Sequence, residues 1–145
     1  MTINQISVFL ENRVGQLAQV CKVLAENDIS LVTLSLAETQ DFGIARLIVD
    51  NHEKAETVLR TNKFLVKTTP VIAVTVPDRP GGMAQVVSTL SEKGCDIEYS
   101  YAFASSNNEQ AVLVFRFKNE DLSKAVLTEA GFTTISENQL QEAVK

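Results

Sequence analysis

Two short stretches of this 145-residue chain combine residue types able to hold a small charged ligand: Asn12-Arg13-Val14-Gly15-Gln16 and Asp78-Arg79-Pro80-Gly81-Gly82. Each precedes an apolar pattern of helical spacing, so each is expected at the start of a helix. Unpaired backbone N–H groups and the positive end of the helix dipole can receive a carboxylate there. A glycine at such a turn lets a ligand approach the backbone. Arg13 or Arg79 offers a charge to a carboxylate, and Asn12 or Asp78 offers an acceptor to an ammonium group. A zwitterionic amino acid needs both kinds of partner in one small volume. Plain helix capping, however, also uses Asp, Asn, Pro and Gly at these places. On the residues alone the two readings stand side by side.

Other chemistry finds little support. The single histidine, His52, stands between Asn51 and Glu53 at an expected helix start, where it reads as a solvated residue. No Ser-His-Asp set and no His and Cys cluster of metal-ligand spacing is present, so no catalytic residue, metal or cofactor is expected. Cys21 and Cys95 lie far apart and outside any CxxC pair. They read as reduced thiols of a cytoplasmic protein, Cys21 as a small core hydrophobe. Thirteen Lys and Arg against 18 Asp and Glu leave a net charge of -5, which opposes a phosphate-binding, nucleic-acid role. No leader or membrane-spanning segment is read, and no membrane association is expected. Hydrophobic residues make up 45%, enough for a real core.

The elements that must position the two loops come from an internal duplication. ENRVGQLAQVCKVLAENDISL, from Glu11 to Leu31, aligns without a gap with PDRPGGMAQVVSTLSEKGCDI, from Pro77 to Ile97, at an offset of 66 positions. Arg13 meets Arg79, Gly15 meets Gly81, and Ala18-Gln19-Val20 meets Ala84-Gln85-Val86. Allowing two extra residues, Val58-Leu59 meets Val126-Leu127 and Phe64 meets Phe132. Two domains are expected, residues 1–69 and 70–145, joined near Thr69-Pro70.

Each copy reads strand-helix-strand-strand-helix-strand. Ile6, Val8 and Leu10 alternate as a strand does, and Val14, Leu17, Ala18, Cys21, Leu24 and Ala25 recur at helical spacing. Val32, Leu34 and Leu36 give a second strand, Gln40 to Gly43 a turn, and Ile44 to Val49 a third strand. Asn51 can cap a helix with Ala55, Val58 and Leu59 inward. Phe64 to Thr68 leads into a fourth strand. In the second copy, Val71 to Val76 is a strand and Gly81 to Lys93 a helix with Met83, Val87 and Leu90 inward. Strands Ile97 to Ala104 and Ala111 to Phe117 flank the polar loop Ser105 to Gln110. Asn119 opens a helix carrying Leu122, Ala125 and Val126. A short C-terminal helix is expected at about 136–144. This is an α+β chain of two tandem ferredoxin-like βαββαβ repeats with antiparallel sheets. Ile44 to Val49 and Ala111 to Phe117 are apolar on both faces, so the second face of each sheet should be covered, by the other repeat or by a second chain.

The stretches ENRVGQLA…ENDISL and PDRPGGMA…EKGCDI resemble the ACT domain family, small regulatory domains of amino-acid metabolism. The family's signature is a strand, then Asn or Asp followed by Arg-Pro-Gly and a hydrophobic residue, then a helix. The resemblance covers about the whole chain and is closer in the second copy. It implies effector sites where two such domains meet, built from the loop before the first helix and the start of the second strand. Carried over, the ligand-binding residues are Asn12, Arg13, Gly15, Gln16 and Ser30 in the first copy. In the second they are Asp78, Arg79, Gly81, Gly82 and Asp96. The first loop departs from the family's serine-binding pattern, with Leu10 for His, Val14 for Pro and Ser30 for Asn.

A non-catalytic module that binds a free amino acid or similar small metabolite is therefore the expectation, with a homodimer and a partner enzyme of amino-acid metabolism as its assembly. One alternative is a detached regulatory subunit that docks on such an enzyme without a ligand of its own. A remote one is an RRM-like RNA binder stacking bases on Phe115 and Phe117.

Overall fold

The computed structural model describes residues 2–39, 41–105 and 109–144. The chain separates into two compact units, Asn4–Thr69 and Pro70–Lys145, the latter grouped with Met1–Ile3. The first unit runs β1 (Ile3–Glu11), α1 (Gln16–Glu26), β2 (Leu31–Glu38), β3 (Phe42–Val49), α2 (His52–Thr61) and the opening of β4 (Leu65–Pro77). The second takes the rest of β4 and adds α3 (Gly82–Glu92), β5 (Ile97–Ala104), β6 (Gln110–Phe117), α4 (Glu120–Glu129), β7 (Thr133–Ile135) and α5 (Glu137–Ala143). Both units are ferredoxin-like α+β folds.

Strand order in the first unit is β2-β3-β1-β4, and β3 pairs antiparallel with both neighbours, Leu47 opposite Ile6 and Leu34. Alternation then sends Ile6, Val8, Leu10, Ala45, Leu47 and Val49 to one face, where Val20, Val23, Leu24, Ala55 and Leu59 of the two helices bury them. In the second unit β4 pairs antiparallel with β6 and with β7, and β6 with β5. Ile72, Val74, Leu113, Phe115 and Phe117 form its core with Val86, Leu90, Val126 and Leu127. The opposite faces of β3 and β6 are buried as well, Ile48 at 2% exposure and Val112 and Val114 at 0% within a single chain.

The helix faces differ from those read off the spacing. Gly15 adopts φ 92° in the left-handed region, so α1 begins only at Gln16 and Val14 stays in the loop, fully exposed. That start turns Val20, Val23 and Leu24 inward, while Ala18 and Ala25 face out. The same shift in α3 buries Val86 and leaves Met83 45% exposed. In α4 the buried side chains are Ser123, Val126 and Leu127, and Leu122 is exposed. Leu65 to Thr68 and Val71 to Val76 prove to be parts of one strand, β4, which runs through Pro70, while Phe64 precedes it. The hairpin turn expected at Gln40 is closed by Thr39, whose N–H and Oγ1 both donate to the Phe42 carbonyl at 2.8 Å; Gln40 itself lies outside the described residues. Half of the loop expected at Ser105 to Gln110, residues 106–108, lies outside them too, as does Lys145.

All four long helices end in the same hydrogen-bonded motif. In α1 the Ile29 N–H donates to the Leu24 carbonyl (3.0 Å) and Asp28 N–H to Ala25 (3.2 Å), a Schellman closure. The left-handed residue it requires is Asp28 (φ 55°) in α1 and Lys63 (φ 68°) in α2, but Gly94 and Gly131 in α3 and α4. A side chain there costs about 1–2 kcal/mol, more than the about 0.5–1 kcal/mol that glycine loses in chain entropy. Asp28→Gly and Lys63→Gly should each raise the urea midpoint, by roughly 0.5 kcal/mol of stability, and Gly94→Asp should lower it. Destabilisation by both glycine substitutions would contradict this account of the repeat's helix ends.

Candidate functional site

The two loops join β1 to α1 and β4 to α3, and their glycines set their shape. Gly15 and Gly81 share the same backbone (φ 92°), and a Cβ added to either would meet nothing within 4 Å. Conformation, not a close neighbour, selects glycine there. Neither α1 nor α3 carries a side-chain cap, whereas Asn51 caps α2, Asn119 caps α4 and Ser136 closes a capping box on α5. The plain capping role open to Asn12 and Asp78 is therefore not the one they play.

In the first unit the loop borders a cavity of about 340 Å³. Asn12, Arg13 and Gln16 line it with Glu11 from the end of β1 and Glu38 from the end of β2. Leu10, Leu17, Leu36, Ala37 and Gly43 supply the apolar lining. Arg13 Nε lies 3.1 Å from Glu11 Oε2. With its amide oxygen turned to the guanidinium, Gln16 accepts from Arg13 Nη2 at 3.0 Å and Nε at 3.2 Å. The arginine is thus held from both ends of the loop.

Strand register explains which residues meet here. Leu10 pairs with Gly43 across β1 and β3, and Glu38 pairs with Gly43 across β2 and β3, so the loop and the end of β2 share one end of the sheet. Ser30 stands at the other end, its N–H donating to Asp50 Oδ1 at 3.1 Å. The eight intervening steps of extended chain put it roughly 25 Å from Glu38. Within this unit Ser30 does not join the loop residues.

The second loop is built differently. Asp78 N–H donates to the Glu109 carbonyl at 2.8 Å, which ties the loop to the β5–β6 hairpin. A Cβ on Gly82 would stand 2.5 Å from the Pro77 carbonyl oxygen, so this glycine is there for close packing of helix on strand. At the equivalent place in the first unit stands Gln16, whose side chain faces its cavity. Asp96 sits at the far end of β5, paired with Lys118 at 3.3 Å, and so lies apart from Asp78, Arg79, Gly81 and Gly82. Asp96 lines a shallow cleft with Cys95 and Ser91 instead.

Glu38, Leu17, Leu36 and Gly43 are not read as site residues in the sequence, and Leu10 enters there only as a departure from the family's serine-binding pattern. The signal was the pairing of strand ends, which becomes readable only once the β2–β3 register is known. His52 begins α2, half-exposed. Among the described residues no group of three or more His, Cys, Asp or Glu could hold a metal ion, and no helix is long and apolar enough to cross a membrane. Phe115 and Phe117 are 0% and 2% exposed in the core, their rings 5.4 Å apart, so they offer no surface to a base.

A family model described as an ACT domain pair matches residues 1–144. A crystal structure of a protein from Bacteroides thetaiotaomicron is 41% identical, with a TM-score of 0.91 over 98% of this chain and 97% of that one. The ligand-free regulatory subunit of aspartate kinase from Thermus thermophilus superposes with a TM-score of 0.62 at 14% identity, over 88% of this chain and 92% of that one. The regulatory subunit of aspartate kinase from Thermus flavus gives 0.60 at 14% identity, over 88% and 91%. No curated protein sequence matches the chain.

The contrast between Gly82 and Gln16 can be measured. Gly82→Ala should cost about 1–3 kcal/mol, because the obstacle is backbone, while Gln16→Ala should change stability by less than about 0.5 kcal/mol. Denaturant unfolding of the two variants gives both values, and an unaffected Gly82→Ala would remove the packing role.

Proposed function

The chain belongs to the family of paired ACT domains, and on that premise we propose that it is a non-catalytic regulatory module whose first unit binds a free amino acid or a similar small metabolite. The cavity beside Asn12, Arg13 and Gln16 carries this reading. Its volume of about 340 Å³ stands near the lower bound, about 300 Å³, of small-molecule sites, and it combines an apolar lining with a few convergent polar groups. The uncapped start of α1 adds N–H donors suited to a carboxylate. The second loop, with Asp78, Arg79, Gly81 and Gly82, then serves mainly as structure, so each chain holds one such site.

Ser30 enters through assembly. β2 ends the strand order, and Leu31, Leu34 and Leu36 on it are 39%, 40% and 54% exposed. An open edge carrying apolar side chains favours pairing with another strand. Antiparallel pairing of β2 with its own copy, centred on Leu34, lays Ser30 of the partner subunit beside Glu38 and completes two equivalent sites. The reduced thiols support a cytoplasmic setting.

A second reading, docking on an enzyme of amino-acid metabolism, draws on the same exposed leucines together with Phe42, 50% exposed, and on the fold shared with proteins described as aspartate kinase regulatory subunits.

Saturation at 100 times the dissociation constant should stabilise the fold by about 2.7 kcal/mol, a shift of several degrees in Tm. A thermal-shift screen of the twenty amino acids should find at least one such response, and Arg13→Ala should abolish it. Failure of every amino acid and related small carboxylate at millimolar concentration would leave the docking reading in possession. Light scattering tests the assembly separately: a two-chain mass is expected, reduced to one chain by Leu34→Lys. A one-chain mass that persists on concentration counts against the β2 pairing.

A further inference from the structure

Resting on the ligand-site reading just given, we infer that the cavity of the first unit selects a neutral α-amino acid with an aliphatic side chain and rejects acidic ones. The charges in the lining point one way. Arg13 is the lone cation among them, and Glu11, 3.1 Å away, already neutralises it. What is left over is the carboxylate of Glu38. It attracts an ammonium group and repels any carboxylate beyond the one that the start of α1 and the Arg13 guanidinium can receive. Aspartate and glutamate bring such a second carboxylate; neutral amino acids do not.

The apolar lining sets the rest. Leu10, Leu17 and Leu36 come from three different elements, β1, α1 and β2, and converge on the same space. Leu36 is 54% exposed while Leu10 is 4% exposed, so the cavity has a dry floor and an uncovered apolar wall. A leucine, isoleucine, valine or methionine side chain laid between them removes apolar surface from water on both molecules. A serine or glycine cannot cover that wall, and a lysine would carry its charge across it.

Calorimetric titration of the intact chain with a panel of these amino acids is the test. Leucine, isoleucine, valine or methionine should bind at least tenfold more tightly than aspartate, glutamate, serine or lysine. Leu36→Asn, a substitution at a half-exposed edge position, should weaken the aliphatic ligand at least tenfold while circular dichroism shows the fold retained. Glu38→Gln should weaken that ligand and shrink the discrimination against glutamate. Tightest binding of an acidic, basic or small polar amino acid overturns this inference and leaves the ligand-site reading intact. Binding of none of them overturns both.

Discussion

The left-handed glycine between strand and helix is the constraint on which each unit rests. At Gly15 and Gly81 the backbone turns at φ 92°, a conformation closed to most side chains, and the helix can begin only at the next residue. That start decides the angular position of everything downstream. It sends Val20, Val23 and Leu24, or Val86 and Leu90, onto the sheet. It also leaves the residues before the glycine outside the helix, where Val14 is wholly exposed and Arg13 can lie across to Glu11 and Gln16. Core and candidate site therefore have one geometric origin.

Much of this was legible in the sequence, because duplication and periodicity are strong signals. The element order, the Asn51 and Asn119 caps and the C-terminal helix follow from residues whose local chemistry admits few alternatives. The helix faces were less legible. Val14 and Met83 fit an apolar stripe by spacing, but spacing does not say where a helix starts, and a one-residue change in start rotates the face by about 100°. The site was half legible. Asn12, Arg13 and Gln16 are adjacent in sequence and stood out. Glu38, Leu36 and Gly43 reach the same place only through strand register, which pairs residues far apart in the chain.

The two repeats have diverged in what their matched positions do. Where the first unit keeps Asp28 and Lys63 in strained helix ends, the second has Gly94 and Gly131. Where the first has Gln16 at its helix start, the second has Gly82 pressed on the Pro77 carbonyl. The second copy is thus relieved of strain at its helix ends and closely packed at its loop, and the first is the one with polar side chains lining a cavity. The family signature is matched most closely in the copy whose loop is the more tightly packed.

β4 bears on how such a chain may be divided. Thirteen residues of continuous strand run from Leu65 to Pro77, and the division between the two units falls inside it, beside Thr69 at 7% exposure and Val71 at 1%. Tandem domains are commonly parted at an exposed linker, where a protease can enter or a foreign sequence can be inserted. Here the joint is hydrogen-bonded backbone, so a nick or an insertion at Thr69-Pro70 would have to break a strand first. Neither repeat can be parted at the boundary that the duplication marks without ending a strand at the cut.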